Sequence, residues 1–100
     1  MYLEIARFRI KPGAEDRFIE ITKLHMLQFE KFAGANRFEF HRCVENPNEF
    51  YYLIDWNSIE DHVVTFRQSE FGKKAHVELV SLFDGEPSVH HTVLAMERRA

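Results

Sequence analysis

The six histidines are the side chains best suited to moving protons near neutral pH, because an unperturbed imidazole titrates at about 6.5. Their spacing says which of them can act together. His90 and His91 are adjacent in a β-rich run, so they leave opposite faces of a strand and cannot jointly chelate an ion. No H-x-H, H-x-x-x-H or Cys/His spacing occurs, so no metal site is expected. His25 falls inside an apolar helical stripe made of Phe18, Ile21, Phe29 and Phe32. There it reads either as a core histidine bonded to a backbone or hydroxyl group, or as an acid or base facing a pocket. His62 follows the single tryptophan, Trp56, by six residues in a short helical segment. It reads as a general base or as a surface helix residue. His76 sits at the edge of a later helical stripe, and His41 faces away from Phe38 and Phe40 on a strand.

The elements that would position these groups follow from hydrophobic periodicity. Residues 2–10 are β-forming and stop at the turn sequence Lys11-Pro12-Gly13. Residues 14–32 switch to helical spacing, with Glu15 and Asp16 in the first turn and Gly34 as the C-cap. Two strands, 36–44 and 49–56, form a hairpin around Glu45-Asn46-Pro47-Asn48. Phe50, Tyr52, Ile54 and Trp56 share one face of the second strand and Tyr51, Leu53 and Asp55 the other, which makes it a central strand. Ser58 opens a short helix over about 59–66 and Ser69 caps another that runs to about Phe83. After Asp84-Gly85-Glu86-Pro87, residues 89–96 form the last strand. The order β-α-β-β-α-β is that of an α+β, ferredoxin-like fold: one antiparallel sheet with helices on one face, in a single domain over residues 1–100.

Composition bounds the function. One hundred residues with 45% apolar and 29% charged side chains describe an ordinary globular chain. A net charge of −3 argues against nucleic acid, and no apolar run reaches membrane-spanning length. Cys43 is alone, so there is no internal disulfide, and the charged N-terminal residues do not resemble a signal peptide; a cytoplasmic location and no membrane partner are expected. Ten phenylalanines are many for this length. The helices can cover only one sheet face while the other keeps large apolar groups, so a homodimer, a dimeric α/β barrel, is expected.

The ordered set Lys11-Pro12-Gly13, Glu45-Asn46-Pro47 with Phe50, Trp56-x-Ser58, Phe66-Arg67-x-Ser69-x-Phe71 and Pro87-x-Val89-x-His91 resembles the antibiotic biosynthesis monooxygenase family along nearly the whole chain. The resemblance implies a dimeric barrel and, in the family's best-understood chemistry, oxidation of a small quinol-type aromatic by O₂ without metal or flavin. Such chemistry needs an apolar pocket, a base, and a donor for an oxyanion. Phe66 and Phe71 would supply walls and His62 or His25 the base, while Trp56, Tyr51, Tyr52 or Arg7 would be the donor, with Trp56 as the family-matched candidate. Arg7 would bind substrate if it faced the interior. A haem-degrading branch offers a competing implication, in which His76 matches the axial ligand position and otherwise contributes to substrate binding. That branch carries an asparagine where Arg7 stands and a tryptophan in the region of Thr65 and Phe66. A different class, a non-catalytic module that binds a small ligand or serves in stress response, would use the same barrel. No cofactor is expected, with haem the alternative.

Overall fold

A computed structural model describes all residues, Met1–Ala100. The elements are β1 (Tyr2–Arg9), α1 (Glu15–Leu27), a 3-10 turn (Phe29–Lys31), β2 (Ala35–Arg42), β3 (Glu49–Trp56), a π-helical turn (Asp61–Phe66), α2 (Glu70–Val80) and β4 (Ser88–Thr92). The four strands form one antiparallel sheet in the order β2-β3-β1-β4. This is the expected α+β, ferredoxin-like arrangement with β3 inside the sheet, and both helices lie on one face.

Alternation decides which residues face those helices. Glu4, Ala6 and Phe8 of β1, Ile10 just after it, and Phe50, Tyr52, Ile54 and Trp56 of β3 are all buried on the helical side. Phe18 and Ile21 descend from α1 onto that surface, and Ala75 and Leu79 from α2. Around Phe18 the aromatic rings interlock: Phe50 lies 5.1 Å away between centroids, Phe8 5.5 Å and Phe40 5.8 Å. These tilted and edge-on pairings are the favoured ones for quadrupolar rings. Both serine caps form, with Ser58 Oγ accepting from the Asp61 amide and Ser69 Oγ from the Gly72 amide.

Several boundaries differ from the expected ones, each for a physical reason. The last strand ends at Thr92 rather than Met96, because Thr92 pairs with Leu3 and β1 begins one residue earlier, at Tyr2. The chain beyond has no neighbouring backbone to bond. The first helix stops at Leu27, and the 3-10 turn carries the apolar stripe on to Phe29. The third helical stretch stops at Val80, since Phe83 is drawn into an antiparallel bridge with Ile10. The short helix after Ser58 is wound as a π turn over Asp61–Phe66.

Gly34 joins these parts. Its φ of +85° is a left-handed conformation, its carbonyl accepts from the Asn57 amide at 2.7 Å, and a Cβ there would fall on the Asp61 carboxyl group. Gly13 has a similar φ of +92° with open space around it. Gly13→Ala therefore incurs only the backbone penalty of about 1–2 kcal/mol. Gly34→Ala adds displacement of Asp61, so its melting temperature should fall further than that of Gly13→Ala, each kcal/mol being worth roughly 4–8 °C in a chain of this size. Equal shifts in thermal denaturation would show that the Gly34–Asp61 contact does not constrain the π turn.

Candidate active site between the sheet and the helices

The aromatic core fills only part of the space between the sheet and the helices. The rest is a cavity of about 660 Å³. Phe8 and Tyr52 lie on both sides of this division, belonging to the core and also lining the cavity. Phe29, Phe32, Phe66 and Phe71 supply most of the remaining wall. Phe32 braces two of them, edge-on to Phe66 at 5.0 Å and tilted against Phe71 at 4.6 Å.

Set into this apolar lining is a buried carboxyl group. Glu4 is 5% exposed, and its Oε1 accepts from the Trp56 indole N–H at 2.9 Å. The sheet register produces the pair: Tyr2 lies opposite Trp56 and Glu4 opposite Ile54, so Glu4 and Trp56 are diagonal neighbours on one face. On the other flank of β1, Glu4 lies opposite His91 of β4. The π turn then lays the His62 ring over the Trp56 indole, with centroids 5.1 Å apart and planes 18° from parallel. His62 Nε2 comes within 3.4 Å of Glu4 Oε1, and its Nδ1 lies 2.7 Å from His91 Nε2. The two ring nitrogens thus point to opposite neighbours and the three groups run in a line. No group of three or more His, Cys, Asp or Glu side chains is placed to hold a metal ion.

Burial sets the protonation of this line. Removal from water raises the Glu4 pKa to about 7, against smaller opposing effects of the Trp56 hydrogen bond and the Arg67 charge. Burial lowers His62 to about 4, assisted by the positive charge of Arg67 and by His91. His91 is lowered in the same way, by burial first and then by Arg67 and His90. The close approach of His62 to Glu4 is therefore a contact of a neutral imidazole and not an ion pair. Near neutral pH one proton, on Glu4, is gained or lost by the group. Elsewhere on the wall, the Tyr52 hydroxyl is bonded to Thr22 Oγ1 at 2.7 Å, and burial raises its pKa. His25 is buried against the Phe71 ring, its pKa lowered by desolvation, and its Nε2 has no hydrogen-bond partner; Glu78 Oε1 is 3.9 Å away.

Residues 1–78 match the family model for antibiotic biosynthesis monooxygenase. The chain belongs to that family. Among its relatives, an uncharacterized Bacillus subtilis protein, YczJ, is 25% identical over 91 residues, covering 91% of this chain and 96% of its own. A Bordetella bronchiseptica structure named for the same family superposes with a TM-score of 0.88 at 27% identity, over 95% of this chain and 97% of the other. Rv0793 from Mycobacterium tuberculosis shares the fold, with a TM-score of 0.83 at 14% identity over 98% of each chain.

Within this antibiotic biosynthesis monooxygenase fold, the sequence-derived candidates divide. Trp56 and His62 meet, and Phe66, Phe71, His76 and His25 line the same cavity. His25 stands on the α1 wall, apart from the Trp56–His62 stack, and His76 is exposed on α2. Arg7 is not part of the lining: as an odd-numbered residue of β1 it leaves the opposite face, where it pairs with Glu49 at 3.0 Å. Tyr51 lies on that far face too and donates to Glu49. The indole N–H of Trp56, expected to serve substrate, is held by Glu4 instead. Glu4 itself escaped the sequence reading, although a lone carboxylate in the buried row of a strand was the available signal.

The raised pKa of Glu4 has a consequence for stability. The folded protein retains a proton that the unfolded chain releases between pH 4.5 and about 7, so this group's contribution to stability falls as pH rises through that interval. Glu4→Gln mimics the protonated form and lacks the loss. The melting temperature of Glu4→Gln relative to the parent should therefore improve steadily from pH 4.5 to pH 7. His62 acts in the opposite sense below its unfolded pKa, but it is present in both proteins. A pH-independent gap would mean that Glu4 is ionised throughout.

Proposed function

We propose that this protein is a monooxygenase of small quinol-type aromatics, which reacts them with O₂ in this cavity without metal or flavin. The observation that carries the reading is the Glu4 carboxyl group, buried at the wall of an aromatic cavity and held by Trp56 and His62. A base with a pKa near the working pH is half-available as carboxylate and still strong enough to take a phenolic proton. The aromatic walls select a flat apolar substrate and keep water from the reacting anion.

The steps balance. Glu4 carboxylate accepts the phenol O–H proton, leaving a phenolate. The phenolate passes one electron to O₂, and the resulting radical pair joins to form a C–O bond, giving a peroxide anion. Glu4–H returns its proton to that peroxide. Loss of the ring hydrogen at the new C–O carbon, with cleavage of the O–O bond, releases water and leaves a quinone. Phenol and O₂ are thus converted to quinone and water, four electrons leaving the substrate. His62 remains neutral throughout, its Nε2 close beside the Glu4 carboxyl group at 3.4 Å. Trp56 is a positioning residue, and Phe66 and Phe71 shape the site.

The same reading includes a homodimer formed through the outer sheet face. Leu3, Ile5, Tyr51 and Leu53 are half-buried there, edged by the Arg7–Glu49 and Arg37–Asp55 pairs at 3.0 and 3.1 Å. An apolar centre with a charged rim is the usual anatomy of an interface. Sedimentation should find a dimer that Leu53→Asp dissociates, whereas a monomeric parent protein would refute the arrangement.

Oxygen uptake with a panel of quinols tests the chemistry. The parent protein should consume O₂ with a subset of the panel, and Glu4→Gln should lower kcat by at least about a hundredfold. The rate should rise with pH through about 7 as Glu4 ionises. Stabilisation by quinols without O₂ uptake would favour a binding module instead. A Soret band on adding haem, lost in His76→Ala, would favour haem degradation through the exposed His76.

A further inference from the structure

A phenol that gives its proton to Glu4 leaves a negative charge beside a buried acid, and the site must compensate it. The Trp56 N–H is already engaged by Glu4. Arg7 faces the other side of the sheet. His62 and His91 are kept neutral by burial. One arginine lines the cavity: Arg67, which directly follows Phe66, itself 5.8 Å from the Trp56 ring and 6.1 Å from the His62 ring. Arg7, Arg37, Arg42 and Arg99 each hold a carboxylate or carbonyl of the protein. The Arg67 guanidinium makes no hydrogen bond or ion pair with any protein group, and the residue is exposed where it borders the cavity.

We propose that Arg67 is a catalytic residue that binds the phenolate oxygen of the substrate, so that the cavity holds phenols as their anions. The inference rests on the proposed quinol chemistry and assigns the cation which that chemistry requires. Lys73 and His76 also line the cavity. Arg67 is distinguished from them because its charge is felt by Glu4, His62 and His91 alike, favouring the carboxylate of the first and disfavouring protonation of the other two. A guanidinium also has the geometry for the role, with a planar set of donors and a charge that persists at any working pH. Its placement after the π turn is what couples it to the acid. The π turn that lays His62 on Trp56 ends at Phe66, with Arg67 next in the chain, and both line the cavity.

The chromophoric phenol 4-nitrophenol reports the assignment directly, since its anion absorbs where the neutral form does not. Bound to the parent protein, it should be half-ionised at a lower pH than on Arg67→Gln, the difference being about one pH unit for an opposite charge at the edge of a partly solvated site. Arg67→Lys should recover part of the difference, and Lys74→Gln, outside the cavity lining, none of it. A merely structural role for Arg67 would change melting temperature without moving the ionisation of the probe. Ionisation at the same pH on the parent and on Arg67→Gln would overturn the assignment, as would failure of 4-nitrophenol to bind. With a quinol that is turned over, Arg67→Gln should lower kcat about tenfold, with a smaller change in KM. If the probe follows Arg67 while no quinol drives O₂ uptake, the anion site stands and the oxygenase reading fails.

Discussion

The buried carboxyl group of Glu4 is the constraint around which the site is organised. A carboxylate taken out of water without partners is strongly unfavourable, so the fold must either neutralise it or surround it with donors. Here it does part of each. The Trp56 indole donates at 2.9 Å, His62 approaches to 3.4 Å, and the remaining imbalance appears as a pKa near 7. Because those partners come from β3 and the π turn, with His91 of β4 holding His62 from behind, one side chain ties four separate parts of the chain together. The compromise leaves Glu4 half-ionised at neutral pH.

Ten phenylalanines serve two purposes, and the Phe8–Tyr52 pair, 4.6 Å apart between centroids, marks the boundary between them. On one side Phe18 and Phe50 are fully buried and fix the helices to the sheet. On the other, Phe29, Phe32, Phe66 and Phe71 surround empty volume instead of filling it. The lining makes every charge nearby more strongly felt, which explains why burial comes first among the causes that act on Glu4 and His62. The π turn belongs to the same design. One extra residue per turn re-aims successive side chains, and such turns occur frequently at functional sites. At this turn it places His62 over Trp56 while Phe66 still reaches the wall.

Much of the fold was legible because periodicity is a local property. Alternation over 2–10 and 49–56 and the stripe from Phe18 to Phe29 identified the elements and their buried faces. What failed were endings governed by distant neighbours: Thr92 ends a strand because β1 has almost no residues left to pair with it, and Phe83 leaves its helix for Ile10. The site divides along the same line. Trp56 and His62 lie six residues apart and could be linked by eye. The contact of His62 with His91, 29 residues away, and that of Glu4 with Trp56, 52 residues away, depend on strand order. Parity did contain one further answer: Arg7 alternates with Phe8, so once Phe8 faces the helices Arg7 cannot.

The placement of Trp56 changes the meaning of the most conspicuous residue in the sequence. At 2% exposure and with its only donor occupied, it presents no hydrogen bond to a ligand. Its influence passes through Glu4. The indole N–H stabilises the ionised carboxyl and opposes the larger effect of burial, so without it Glu4 would hold its proton more tightly. The stacked His62 ring is kept neutral by the same dry surroundings and does not compete for the charge. Base strength is therefore set by a balance between an apolar wall, which raises the pKa, and an indole and a nearby arginine, which lower it. Three strands and the π turn contribute to that balance, which explains why the acid lies at the junction of these elements and not on a mobile loop.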